Sequence, residues 1–419
     1  MAIEVHEGQY GSAASLKAPL ALAVSCFLIW GLAYGLLDVL NKHFQLTLHV
    51  GKAQSSWLQI AYFGAYLLMS LPAGALLQAR GYKVGIVTGL VVTSFGALLF
   101  VPSAEAASFR ALVASIFVLA TGLCILETSA DTYVSVLGPP ESAPRRLNLA
   151  QSFNALGVIV GPLIGGALIF NPAVTVRLGS AQRAVQLTYF AIAVLVLAYA
   201  FILSRATLPE VREVGSVLSA NPASRGSSST LRSQKHFVFG VLTQAVYVGA
   251  QVGIGAYFIN LATETWHGLT SQQAAFLLSF ATLGYLLGRF ATTALLLRVS
   301  PRSILTAYGL ANTLLCLIVV TGLERISALA LVAVFFFMGT MFATIFTLGV
   351  RNLGYLTKRG ASIMVMAIGG GVLLPYPMGR IAETYGTPAA FILPAISFGL
   401  VALYGWKLSA LEQVPGQTQ

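Results

Sequence analysis

The sequence predicts an all-α integral membrane protein of twelve transmembrane helices, arranged as two pseudo-symmetric six-helix halves. Three observations carry that prediction: too few charges to wet a globule, twelve apolar runs of bilayer length, and a Gly/Pro pattern that recurs between the halves. Of 419 residues, 57% are apolar and only 9% are Asp, Glu, Lys or Arg. A soluble domain carries roughly 25% charged residues on its surface. With a mean hydropathy of +0.82, this chain finds its solvent in lipid.

Crossing a bilayer takes about 20 apolar residues per helix. Between Gly, Pro and charged punctuation, the first six runs fall at 20–41, 54–78, 84–102, 109–137, 149–170 and 185–204. The second six fall at 237–262, 272–297, 302–322, 326–349, 360–382 and 387–408. They are continuous rather than alternating, which excludes a β-barrel. The halves are therefore 20–204 and 237–408, joined by 205–236, a Ser-, Arg-, Pro- and Gly-rich stretch that reads as a flexible linker. Residues 1–19 and 409–419 are polar tails. The first is mildly acidic and lacks the basic start of a cleaved leader.

Charge placement sets orientation. With the N-terminus in the cytoplasm, sixteen Lys and Arg residues lie inside and six outside. That positive-inside bias puts both termini in the cytoplasm of a multi-pass protein of the cell (inner) membrane. The net charge of +11 is scattered between apolar runs, whereas a nucleic-acid binder gathers its bases on one face. Cys26, Cys124 and Cys316 each lie inside an apolar run, with neither disulfide nor metal spacing.

The halves match each other. At an offset of 219, Tyr66-Leu67-Leu68 falls on Tyr285-Leu286-Leu287, and Lys83 on Arg302. At an offset of 213, Gly157 falls on Gly370, Pro162 on Pro375 and Gly166 on Gly379. These glycines, and those of 369–371, read as points of close helix packing. Two parallel six-helix repeats are the plan of transporters that hold substrate at mid-membrane between the halves.

Intramembrane charge points to the site. Of thirteen acids, only Asp38, Glu127 and Asp131 fall well inside apolar runs. An ionisable group at the bilayer centre costs at least about 2.5–3.5 kcal/mol, so it marks a substrate or proton route. Tyr34, Asp38 and Asn41 recur every three or four residues with Trp30, giving the first span one polar, aromatic face. Glu127 and Asp131 are one turn apart on the fourth span, and Asn148, Gln151 and Asn154 share a face of the fifth. In the second half, Tyr247, Gln251 and Phe342 add neutral polar and aromatic contacts. Such a set suits a sugar, whose hydroxyls donate and accept hydrogen bonds while its apolar ring face covers an aromatic plane. A carboxyl in a dry cavity favours its neutral form, so it can load and release a proton as the cavity changes side.

The run LETSADTYVSVLGPPESAPRRLNLAQSFNALG (126–157) resembles the fucose–proton symporter and glucose/galactose transporter family of the major facilitator superfamily. The similarity extends through WGLAYGLLDVLNKHF (30–44), SWLQIAYFGAYLLMSLPAG (56–74), YVGAQVGIGAYF (247–258) and TKRGASIMVMAIGGGVLLP (357–375). Within GALLQARGYKVG (74–85), Gly74, Gly81 and Lys83 fit the superfamily's loop signature, while Gln78 and Ala79 replace its usual Asp-Arg pair. The resemblance implies proton coupling at Glu127 and sugar binding at Asn154, and matches Asp38 to an acid of the glucose/galactose branch; Asp131 joins the proton-coupling set by its place one turn from Glu127. Phe342 stands where the fucose symporter has a tyrosine, so the implied cargo is a hexose such as glucose or galactose. No metal, cofactor or nucleic acid is expected; the implied partners are sugar, proton and membrane lipid, and the implied state is a monomer. The competing readings are an exporter of drugs or amphiphiles, a uniporter without proton coupling, and a non-transporting sugar sensor.

Overall fold

The structure, a computed structural model, describes residues 17–137, 143–209, 231–353 and 357–410. The N-terminal tail to residue 16, most of the linker, the end of the C-terminal tail and the Asn148 side chain lie outside the described residues. Among the described residues, twelve helices are long and apolar enough to cross a bilayer. In the first half they are α1 Lys17–Thr47, α2 Lys52–Arg80, α3 Tyr82–Glu105, α4 Phe109–Val136, α5 Leu149–Ile169 and α6 Ala181–Arg205. In the second they are α7 Lys235–Thr265, α8 Ser271–Leu295, α9 Pro301–Val320, α10 Glu324–Val350, α11 Ile363–Tyr385 and α12 Thr387–Trp406.

The expected count holds, but most helices overrun their apolar runs. Helix α1 begins at Lys17 rather than 20, α6 at Ala181 rather than 185, and α7 at Lys235 rather than 237. Apolar runs stop at the first charged or capping residue, whereas the backbone stays helical until its ends are satisfied. Ser180 accepts from Arg183 N at 3.2 Å. Thr270 and Gln273 cap each other reciprocally at 3.2 and 3.0 Å, the pairing that closes a helix start.

Helices α2 and α12 are interrupted one turn from their starts, at Ser56 and Phe391, and two more, α10 and α11, break in their interiors. Helix α10 runs Glu324–Met338, interrupts at Gly339 and Thr340, and resumes at Met341–Val350. The freed Met338 carbonyl accepts from Tyr247 Oη at 2.9 Å, which is what makes a break tolerable in lipid. The α11 segment is helical over Thr357–Met366, tightens to a 3-10 turn over Ala367–Val372, and resumes at Pro375–Tyr385. Three consecutive glycines are poor helix formers, and Pro375 has no N–H for the preceding turn.

The glycine skeleton explains the repeat. Gly31 and Gly35 of α1 face Gly157 and Gly161 of α5 so closely that a Cβ on Gly161 would stand 2.7 Å from the Gly35 Cα. Its counterpart in the second half seats Gly370 of α11 against α7, where a Cβ would stand 2.5 Å from the Ala245 Cα. The next matched pair turns outward to the opposite half. A Cβ on Gly166 would meet Phe276 Cε1 of α8 at 2.7 Å, and one on Gly379 would meet the Ala53 Cα of α2 at 2.5 Å. Small residues that let backbones touch are the main packing device in lipid.

The halves are latched at the end away from the termini. The first turn of α2 (Lys52–Ser55) lies in the second half, where Lys52 pairs with Glu264 at 2.8 Å and donates to Thr387 Oγ1 at 2.7 Å. Ala53 N donates to Glu383 Oε1 at 2.9 Å, and Tyr257 Oη donates to the Lys52 carbonyl at 2.9 Å. One turn deeper, Asn41 donates to the Ala256 carbonyl at 2.9 Å and Asn260 to Gln45 at 2.6 Å.

Candidate substrate and proton site

The glycine contact between α1 and α5 is what brings the polar faces together. Gly31 packs on the Asn154 backbone, so the face bearing Tyr34 and Asp38 runs beside the one bearing Gln151 and Asn154. Asn154 Nδ2 approaches the Phe27 carbonyl of α1 at 3.5 Å. That bond is long and engages only the amide nitrogen. Tyr34, Gln151, Asn154, Gln251 and Phe342 are all half-buried.

The acids divide between two depths. Asp38 is 8% exposed and its carboxylate lies against Gly255 of α7. Glu127 and Asp131 are half-buried on α4, with Thr128, Thr132 and Ser135 continuing the same polar face toward the end bearing the termini. Each of this pair keeps one buried carboxylate oxygen, Glu127 Oε2 and Asp131 Oδ1, without a hydrogen-bond partner among the described residues. No ion pair at Asp38, Glu127 or Asp131 occurs among the described residues. Carboxyls without a compensating cation are suited to carrying a proton rather than to holding the fold.

Two residues expected at the site have other work. Asn41 is fully buried with both amide ends engaged: it donates to the Ala256 carbonyl and accepts from Gln45 at 3.1 Å. It belongs to the latch. Tyr247 is likewise fully buried, its hydroxyl committed to the break in α10. Helical spacing placed both on polar faces correctly, but spacing does not say which neighbour a face meets.

Sequence reading also missed residues. Gln59 and Tyr62 of α2 are buried and Tyr66 is half-buried, and their side-chain polar atoms make no hydrogen bond among the described residues. Tyr62 stacks on Tyr66 at 5.5 Å and contacts Tyr34 at 6.0 Å. Their spacing of three and four residues was visible, yet tyrosines on an apolar helix read as packing until the orphaned hydroxyls are seen. Lys52, Glu264 and Glu383 looked like ordinary loop charges for the same reason.

Comparison with known proteins agrees with this architecture. A glucose/galactose transporter of Brucella abortus biovar 1 (strain 9-941) is 34% identical over 380 residues, covering 90% of this chain and 91% of that protein. The L-fucose-proton symporter of Escherichia coli (strain K12) is 34% identical over 411 residues, covering 94% of each. A crystal structure of the E. coli fucose:proton symporter superposes with a TM-score of 0.67 at 33% identity, covering 96% of this chain and 100% of that one. The profile of the Major Facilitator Superfamily matches residues 20–374. With twelve spanning helices, a duplicated glycine skeleton and relatives matched nearly end to end, the chain belongs to the Major Facilitator Superfamily.

Proposed function

We propose that this chain is a secondary active transporter that carries a hexose, of the glucose or galactose type, together with a proton by alternating access. One observation carries the reading: among the described residues Glu127 and Asp131 have no ion-pair partner, on a helix whose neighbour α5 bears Gln151 and Asn154. The amides match sugar hydroxyls, Tyr34 and Phe342 offer aromatic planes, and the acids take the proton. The names of the Brucella and E. coli relatives support the same cargo class.

The positive-inside bias supports an inner-membrane protein with cytoplasmic termini. The latched end then faces outward, and this conformation is sealed on the outside. The proton gradient supplies the driving force without a cofactor, and a monomer holds every residue of the site. Asn41 and Tyr247 serve latch and scaffold rather than sugar.

The experiment is uptake of labelled glucose into proteoliposomes, with and without an inward proton gradient, competed by a panel of sugars. Gradient-driven accumulation blocked by glucose or galactose is expected. Sugar entry that never exceeds equilibrium would leave a uniporter. Uptake indifferent to every sugar would leave an amphiphile carrier.

A further inference from the structure

A polar file on α2 is more deeply covered than the sugar-site candidates. Gln59 is fully buried and Tyr62 is 2% exposed, while Tyr66 is half-buried with its hydroxyl covered. Gln59, Tyr62 and Tyr66 stand three and four residues apart, so all three lie on one face of the helix. Burying a polar group without a partner costs about 1–3 kcal/mol, and native structures rarely leave several together. Here four neighbouring polar atoms go unsatisfied: both amide atoms of Gln59 and the hydroxyls of Tyr62 and Tyr66.

The ends of this file are the two separated acid positions. Gln59 adjoins Asp38, and Tyr34 lies within electrostatic range of both Asp38 and Tyr62. Tyr34 and Tyr62 are in ring contact at 6.0 Å, and Tyr62 and Tyr66 stack at 5.5 Å with 25° between their planes. At the other end Tyr66 and Tyr62 both lie within electrostatic range of Glu127. A file of tyrosine rings in contact, their Tyr62 and Tyr66 hydroxyls without a hydrogen-bond partner in this conformation, therefore lies between Asp38 and Glu127.

We propose that Tyr62 and Tyr66, with Tyr34 at the Asp38 end, form a proton relay between Asp38 and Glu127. Each phenol accepts a proton on Oη while giving its own Oη–H to the next oxygen. One carboxyl loses a proton, the other carboxylate gains one, and every tyrosine ends neutral. Gln59 stands beside the Asp38 carboxyl and does not itself carry the proton. This inference rests on the proton-coupled sugar reading above.

The test uses the full chain in proteoliposomes, as wild type, Tyr62→Phe, Tyr66→Phe and the double variant, with labelled galactose as probe. Phenylalanine keeps the ring stack and removes only the hydroxyl. Gradient-driven accumulation should slow roughly tenfold or more, as expected for a lost proton-transfer group. Galactose–galactose exchange at equal pH should persist. Accumulation at the wild-type rate in the double variant overturns the relay, and so does a parallel loss of exchange, which would mark the tyrosines as structural. A wild type that exchanges galactose but never accumulates it removes proton coupling itself, and the relay with it. As a second measurement that needs no variant, wild-type proton uptake on galactose addition is followed across mixtures of H2O and D2O. A curved dependence on deuterium content is expected of several protons moving in series; a straight line overturns the relay.

Discussion

The Asp38 carboxylate of α1 lies against the backbone of Gly255 on α7, where a Cβ would stand 2.5 Å from Asp38 Oδ2. An acid of one half is thus covered by the chain of the other. Gly255→Val is expected to displace the carboxyl and to reduce gradient-driven uptake strongly, with the protein still folded by size-exclusion chromatography. Wild-type uptake in this variant would separate Asp38 from the latch.

Glu127→Gln mimics the protonated acid permanently. Sugar exchange should continue in this variant while accumulation against a gradient is lost. Retained accumulation would take the coupling role away from Glu127.

The same acid sets a pH dependence. Low dielectric favours the neutral carboxyl, so a state that closes around sugar also favours the bound proton, and by reciprocity the proton favours sugar. Apparent sugar affinity in detergent should be highest at low pH and fall as pH rises and the acid ionises. Glu127→Gln should flatten the profile. A wild type that stays flat from about pH 5 to 9, with no proton movement on sugar addition, would indicate uniport.

Asn154→Ala leaves a sugar hydroxyl unpaired, at a cost of about 1–3 kcal/mol. That corresponds to a five- to hundredfold weaker affinity, roughly, and Gln151→Ala should behave similarly. Calorimetric titration of both variants checks this. Unchanged affinity in both would remove α5 from the sugar site.

The latch depends more on packing than on charge. Lys52 and Glu264 are 22% and 33% exposed, and a solvated pair of this kind contributes at most about 1 kcal/mol. Gly379 matters more, since any Cβ there meets Ala53 and Tyr257. Gly379→Val should hold the distal end apart and slow transport, whereas Lys52→Ala should change little. Spin labels on the exposed His49 and His267, at the distal end of each half, would report longer separations in Gly379→Val. An unchanged distance distribution would show that the α2 turn is not the closing element.

Much of this was legible in the sequence. Apolar length gave the helices, and the matched glycines at 157 and 370 anticipated contacts that α1 and α7 each complete. Asp38, Glu127 and Asp131 were visible because carboxyls in an apolar run have few other uses. The rest depended on neighbours distant in sequence. Nothing local to Asn41 announces the Ala256 carbonyl, and Tyr247 meets Met338 only because α10 breaks at Gly339. Lys52 reads as a loop charge until α2 is seen to begin there and dock on α11.

The glycine contact between α1 and α5 has a metric consequence. Asp38 rides on one of these helices and Asn154 on the other, and backbones pressed together at Gly35 and Gly161 cannot slide or spread. In this conformation the two helices act as a fixed ruler between the proton and the sugar. Room for a larger sugar would therefore come from the second half or from the side chains, not from parting α1 and α5.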